Sequence, residues 1–107
     1  TIAYSLTREG YEIFRAADGK ECLKIMKETG ADLIITDLYM PCINGHEVIS
    51  IVRDEWKSNV PILVLSAAGA EDNVLKAFEL GADDFMVKPF SLVELTVRVR
   101  KLLAMKK

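Results

Sequence analysis

Three observations predict an α/β fold built on a doubly wound parallel sheet. Short aliphatic runs alternate with helix-length amphipathic stretches in the order α-β-α-β-α-β-α-β-α. The clearest of these runs are continuously apolar rather than alternating, as in strands buried on both faces. Three of them end in a chemically capable side chain: Asp37, Ser66 and Lys88. Open α/β sheets bind their ligands outside the carboxyl ends of the strands.

Each element has its own local signal. Ile2 and Leu6 share a helix face, and Gly10 is placed to stop that helix. Residues 11–16 read as a strand. Asp18 is a candidate cap for a helix to about Thr29, with Leu23 and Met26 inward and Gly30 at its end. Residues 32–36 form the next strand. Residues 46–56 read as a helix with Val48, Ile49, Val52 and Trp56 on one stripe, Trp56 closing the bottom of the core. A strand over 60–65 is followed by a helix over 71–80, with Val74, Leu75 and Phe78 inward and Gly81 as its stop. Residues 84–87 form the last strand. Ser91 and Glu94 have capping-box spacing for a final helix whose inward stripe is Leu92, Leu95, Val99 and Leu102 or Leu103.

A chain of 107 residues suits one domain able to bury a core without disulfide or metal staples. The net charge of −2 offers no bulk attraction to nucleic acid or an anionic membrane. Direct nucleic-acid binding and membrane attachment are therefore not expected. No stretch approaches the ~20 apolar residues of a membrane span. Cys22 and Cys42 lack metal-ligand spacing and read as reduced thiols of a cytoplasmic protein, Cys22 packing as a small hydrophobe.

The chemistry concentrates at three strand ends. Asp37 closes an aliphatic run and opens the loop Asp37-Leu38-Tyr39-Met40-Pro41-Cys42-Ile43-Asn44-Gly45. Ser66 ends the next run, and Lys88-Pro89 ends the last. A carboxylate, a hydroxyl and an ammonium so placed can surround one small anionic group. Each also has an ordinary reading: Asp37 as a turn residue, Ser66 bonding its own backbone, Lys88 as a surface lysine. His46 opens a helix, reads as solvated, and is assigned no role.

The constellation resembles the receiver domain of two-component response regulators. The matching residues are Asp37, Met40, Pro41 and Gly45; Pro61 with Ser66-Ala67; Gly81-Ala82-Asp83-Asp84-Phe85; and Lys88-Pro89-Phe90. The resemblance covers essentially the whole chain. It implies a flavodoxin-like fold with strand order 2-1-3-4-5, and transfer of a phosphoryl group from a histidine kinase or phosphotransfer protein to Asp37. Such a domain promotes its own phosphorylation and dephosphorylation and is not otherwise an enzyme. The resemblance gives Lys88 and Ser66 roles at the phosphoryl oxygens, with the Ala67 N–H as a further donor, and a cis bond at Lys88-Pro89. Mg²⁺ would take the Asp37 carboxylate and the Tyr39 carbonyl as ligands. Tyr39 and Ala68 would flank the site and tune phosphoaspartate lifetime. Phe85, a core candidate by base rate, would be the switch aromatic that follows Ser66. Glu79, Asp84, Arg98 and Arg100 have charges suited to a homodimer through the last helix-strand-helix face, with Val74 departing from that pattern. An effector domain attached outside this chain is a further implied partner.

One departure accompanies the resemblance. Family members begin with a strand followed by acidic metal ligands, and residues 1–9 match neither, Glu9 being acidic but at the far end of the helical segment. The expectation is an N-terminally incomplete receiver domain over residues 1–107, binding Mg²⁺ only when complete. The missing strand would leave a gap of about 9–10 Å beside residues 32–36. An open gap, a strand from another chain, or a rearranged pairing of residues 11–16 would result, and an open gap is expected. The alternative function is a non-phosphorylated pseudo-receiver that binds proteins. A flavodoxin-like cofactor binder would need a Gly/Ser/Thr-rich phosphate loop after a strand, which the chain lacks.

Overall fold

A computed structural model of the chain describes residues 2–37, 44–67 and 71–105. The helices are α1 (Ile2–Arg8), α2 (Gly19–Thr29), α3 (Gly45–Ser50), α4 (Glu71–Leu80) and α5 (Leu92–Met105). The strands are β1 (Ile34–Asp37), β2 (Ile62–Ala67) and β3 (Asp84–Lys88). They form one parallel sheet in the order β1-β2-β3. Ile34 registers with Ile62, and Ala67 with Lys88.

Local chemistry sets the helix ends. Asp18 accepts the Glu21 N–H at 2.8 Å, and Gly30 closes α2 in the left-handed region at φ 62°. Asn44 and Glu47 form a reciprocal capping box, so α3 starts at Gly45, one residue before the expected start. The expected helix over 46–56 is composite, because α3 passes at Ile51–Glu55 into a π-helical turn. Ser91 Oγ accepts the Glu94 N–H at 2.9 Å, while the Glu94 carboxylate is held by Arg98.

The sheet is covered on both faces. One core joins Ile34, Ile62 and Val64 to Val48, Ile49, Val52 and Ala77, with Cys22, Leu23, Met26 and Trp56 packed against it. The other joins Leu63, Leu65 and Met86 to Leu6, Leu95, Val99 and Leu102. Alternation along β2 therefore serves two cores, which explains its unbroken apolar run.

Several expectations are corrected. Residues 11–16 form no strand. They line a cavity of ≈ 690 Å³ together with residues 31–36, and no ladder joins the two segments. The described sheet accordingly has three strands, and the gap beside β1 is open. In α4, Val74 and Ala77 are buried, while Leu75 and Phe78 are exposed. Leu92 is also exposed, at the first turn of α5 before the inward stripe begins. The strand expected over 60–65 forms as Ile62–Ala67, after Pro61, whose carbonyl accepts from Ile34 N–H. The strand expected over 32–36 forms as Ile34–Asp37.

Candidate functional site at the carboxyl edge of the sheet

The parallel register carries Asp37, Ser66 and Lys88 to one edge of the sheet. Asp37 ends β1, Ser66 is the penultimate residue of β2, and Lys88 ends β3. Lys88 Nζ donates to Asp37 Oδ2. The ammonium thus passes over the end of the central strand to reach a carboxylate two strands away. The contact is partly solvated, with the side chains 47% and 36% exposed, so water can be displaced by an incoming group. The Lys88-Pro89 peptide is cis.

Ser66 has a different environment. It is 1% exposed, and its Oγ has no hydrogen-bond partner among the described residues. A buried hydroxyl without a partner costs free energy. Ser66 Oγ does not bond its own backbone. Phe85 is half-buried and meets Phe78 edge-on, with centroids 5.6 Å apart at 87°. It belongs to the α3–α4 side of the core.

Other sequence candidates lie elsewhere or are already paired. Tyr39, Cys42 and Ala68 lie outside the described residues. Asp84 and Arg98 pair within the chain, one guanidinium nitrogen reaching both carboxylate oxygens at 2.7 and 2.8 Å. That pair holds the Arg98 guanidinium pKa above its usual value. Arg100 approaches Glu9 at 3.6 Å. Burial pushes the Cys22 thiol pKa up, in keeping with a packing role. His46 is not simply solvated: its Nε2 lies 2.9 Å from the Asn73 carbonyl, joining α3 to α4. A helix-opening histidine carries no local mark of such a neighbour.

Sequence reasoning also missed Arg53. Its guanidinium donates to the carbonyls of Ser58, Val60 and Gly81 and to the Asp83 carboxylate, at 2.8–2.9 Å. Asp83 in turn accepts the Ile62 N–H at 2.8 Å. This network fixes the amino edge of β2 and β3, opposite the candidate site. The available signal was an arginine on a helix with Gly81-Ala82-Asp83 ahead of a strand.

The donor set was tested against Mg²⁺. Among the described residues no group of three His, Cys, Asp or Glu side chains converges. Asp37 supplies a carboxylate that Lys88 already contacts, well short of an octahedral oxygen shell. These residues do not by themselves fit the ion.

Comparison with known proteins gives the family. The response regulator receiver domain profile matches residues 1–100. The alkaline phosphatase synthesis transcriptional regulatory protein PhoP of Bacillus subtilis is 41% identical over 102 residues, covering 95% of this chain and 42% of PhoP. The transcriptional regulatory protein PrrA of Mycobacterium leprae is 42% identical over 103 residues, 96% of this chain and 44% of PrrA. The chain thus spans less than half the length of these relatives. A response regulator structure from Chloroflexus aurantiacus superposes with a TM-score of 0.90 at 36% identity, covering 96% of this chain and 85% of that one. A receiver domain from Clostridium thermocellum gives 0.89 at 25% identity, covering 96% and 82%. The three parallel strands and their flanking helices are those of a flavodoxin-like receiver fold. No described helix is long and apolar enough to cross a membrane. The chain belongs to the response regulator receiver domain family of two-component systems.

Proposed function

We propose that the chain accepts a phosphoryl group on Asp37 from a histidine kinase or phosphotransfer protein, in the cytoplasm, and signals through α4, β3 and α5. The observation that carries this reading is the pairing of Lys88 with Asp37 beside the buried Ser66 hydroxyl, which has no hydrogen-bond partner among the described residues. A carboxylate oxygen of Asp37 attacks phosphorus, an O–P bond forms, and the P–N bond to the donor histidine breaks. The electron pair leaves on the imidazole nitrogen, and a proton on the ring's other nitrogen makes the departing imidazole neutral. Lys88 neutralises charge on the phosphoryl oxygens, and Ser66 donates its hydrogen bond to one of them.

The switch in this reading is a shift of Ser66 toward the phosphoryl group with Phe85 repacking behind it. Phe85 lacks a hydroxyl, so its part is steric. The output face carries Glu79, Asp84, Arg98 and Arg100. Dimerisation through ion pairs there requires Arg98 to exchange its own Asp84 for that of a partner. The relatives named as transcriptional regulators are more than twice as long as the matched segment, which supports an attached effector.

Phosphoramidate, whose P–N bond mimics phosphohistidine, is the donor for the test, with Mg²⁺ present. Intact mass of the complete domain should rise by one phosphoryl group and stay unchanged in its Asp37→Asn variant, while the 107-residue chain alone should be a poor phosphoacceptor. The absence of a converging acidic group among the described residues favours a second reading, a protein-binding pseudo-receiver. An unmodified complete domain under these conditions selects it.

A further inference from the structure

We propose that His46 latches the first turn of α4 to α3, and that this latch slows phosphoryl uptake at Asp37. The regulatory role rests on Asp37 being the phosphoacceptor. His46 Nε2 lies 2.9 Å from the Asn73 carbonyl oxygen, in a half-buried contact between the two helices. A carbonyl can only accept, so the ring carries its hydrogen on Nε2 and donates it. His46 is the second residue of α3, just inside the Asn44–Glu47 capping box. Its neighbours Gly45, Val48 and Ile49 are buried, so the donor stands on a fixed post.

The acceptor stands on a looser element. Of the α4 side chains only Val74 and Ala77 are buried, and Leu75 and Phe78 are exposed. With so little apolar burial, a hydrogen bond to α3 weighs heavily in placing the first turn. That turn is also tied to the candidate site through the chain. Residues 68–70 are all that separates α4 from β2, whose penultimate residue is Ser66. Asp37 and Leu65 are register partners, so Ser66 follows the direct neighbour of Asp37. A shift of Ser66 toward a phosphoryl group on Asp37 therefore pulls on the start of α4, and the His46 bond resists the pull. The bond is made in the unmodified protein, where Lys88 contacts Asp37. A contact made in one state and strained in the other favours the first, and by linkage opposes the group that favours the second. His46 acts through α4 and is a positioning residue.

The test compares the complete domain with its His46→Leu and His46→Gln variants. Leucine removes the donor, whereas glutamine places an amide N–H as many bonds from Cβ as Nε2. His46→Ala is a second donorless variant, so that a misfolded leucine protein does not decide the result. In the unphosphorylated proteins, amide exchange of Leu75, Lys76 and Ala77 reports the first turn. Helical geometry pairs their N–H groups with the carbonyls of Glu71, Asp72 and Asn73. His46→Leu should speed their exchange roughly fivefold and leave the amides of Leu63 and Leu65 in β2 unchanged. Initial uptake from phosphoramidate with Mg²⁺ should rise by a similar factor of about five, and His46→Gln should restore both rates. A merely structural role has the opposite sign, with faster exchange throughout and slower uptake, and would overturn the proposal. So would a glutamine variant no closer to wild type than the leucine one. Equal uptake by all three proteins sinks the latch alone, whatever their exchange rates. A complete wild-type domain that takes no phosphoryl group sinks the Asp37 reading and the regulatory role together.

Discussion

Lys88 and Asp37 meet across the end of a strand that belongs to neither of them. β3 and β1 flank β2, and the lysine of one reaches the carboxylate of the other. A contact this exposed contributes little to stability, about 0–1 kcal/mol. Lys88→Ala should therefore leave Tm nearly unchanged in a thermal melt. Phosphoryl uptake from phosphoramidate should nevertheless fall at least tenfold, because the charge facing the transferred group is gone. A large loss of Tm with undiminished uptake would make the pair structural.

Ser66→Ala separates stability from function in the opposite direction. The wild-type hydroxyl is buried without a partner among the described residues. Removing it should stabilise the resting protein by about 1 kcal/mol. The phosphorylated form should lose that gain, since the hydroxyl is then expected to bond the phosphoryl group. Urea melts of both forms, with and without the substitution, measure the difference. Equal effects in the two states would mean that Ser66 never meets the ligand.

What was legible followed from short-range pattern. Asp37, Ser66 and Lys88 each end an aliphatic run, and a parallel register needs nothing more to place them on one edge. The failures came from partners distant in sequence. Residues 11–16 look like a strand locally, but a strand exists only if something pairs with it. In α4, Val74, Leu75, Ala77 and Phe78 crowd the apolar positions, and the small Ala77 proved to face the core. Which phase wins depends on the α3 surface opposite, which the local sequence does not show. His46 was misjudged for the same reason.

Arg98 tests the output face. Its bonds to Asp84 and Glu94 lie at the surface, where one ion pair is worth under about 1 kcal/mol. Arg98→Ala should lower Tm only slightly. If the face dimerises by exchanging this pair, sedimentation should show weaker self-association of the phosphorylated variant. Unchanged association would assign the interface to other residues.

Arg53 and Gly81 make a coupled pair at the amino edge. Gly81 sits at φ +119°, and a Cβ there would lie 2.8 Å from Arg53 Cγ. Arg53→Ala removes bonds to three carbonyls and a carboxylate and should cost about 2–3 kcal/mol. Gly81→Ala should cost about 1–3 kcal/mol through backbone strain and collision with the Arg53 stem. The two should not add. Once Arg53 is truncated the collision is gone, and Gly81→Ala should become cheaper by about 1 kcal/mol, with the φ strain remaining. Urea unfolding of both single variants and the double variant measures the coupling. Strict additivity would mean that the Arg53 side chain shifts aside freely, and that its bond to the Gly81 carbonyl at 2.9 Å contributes little to holding β3 in register.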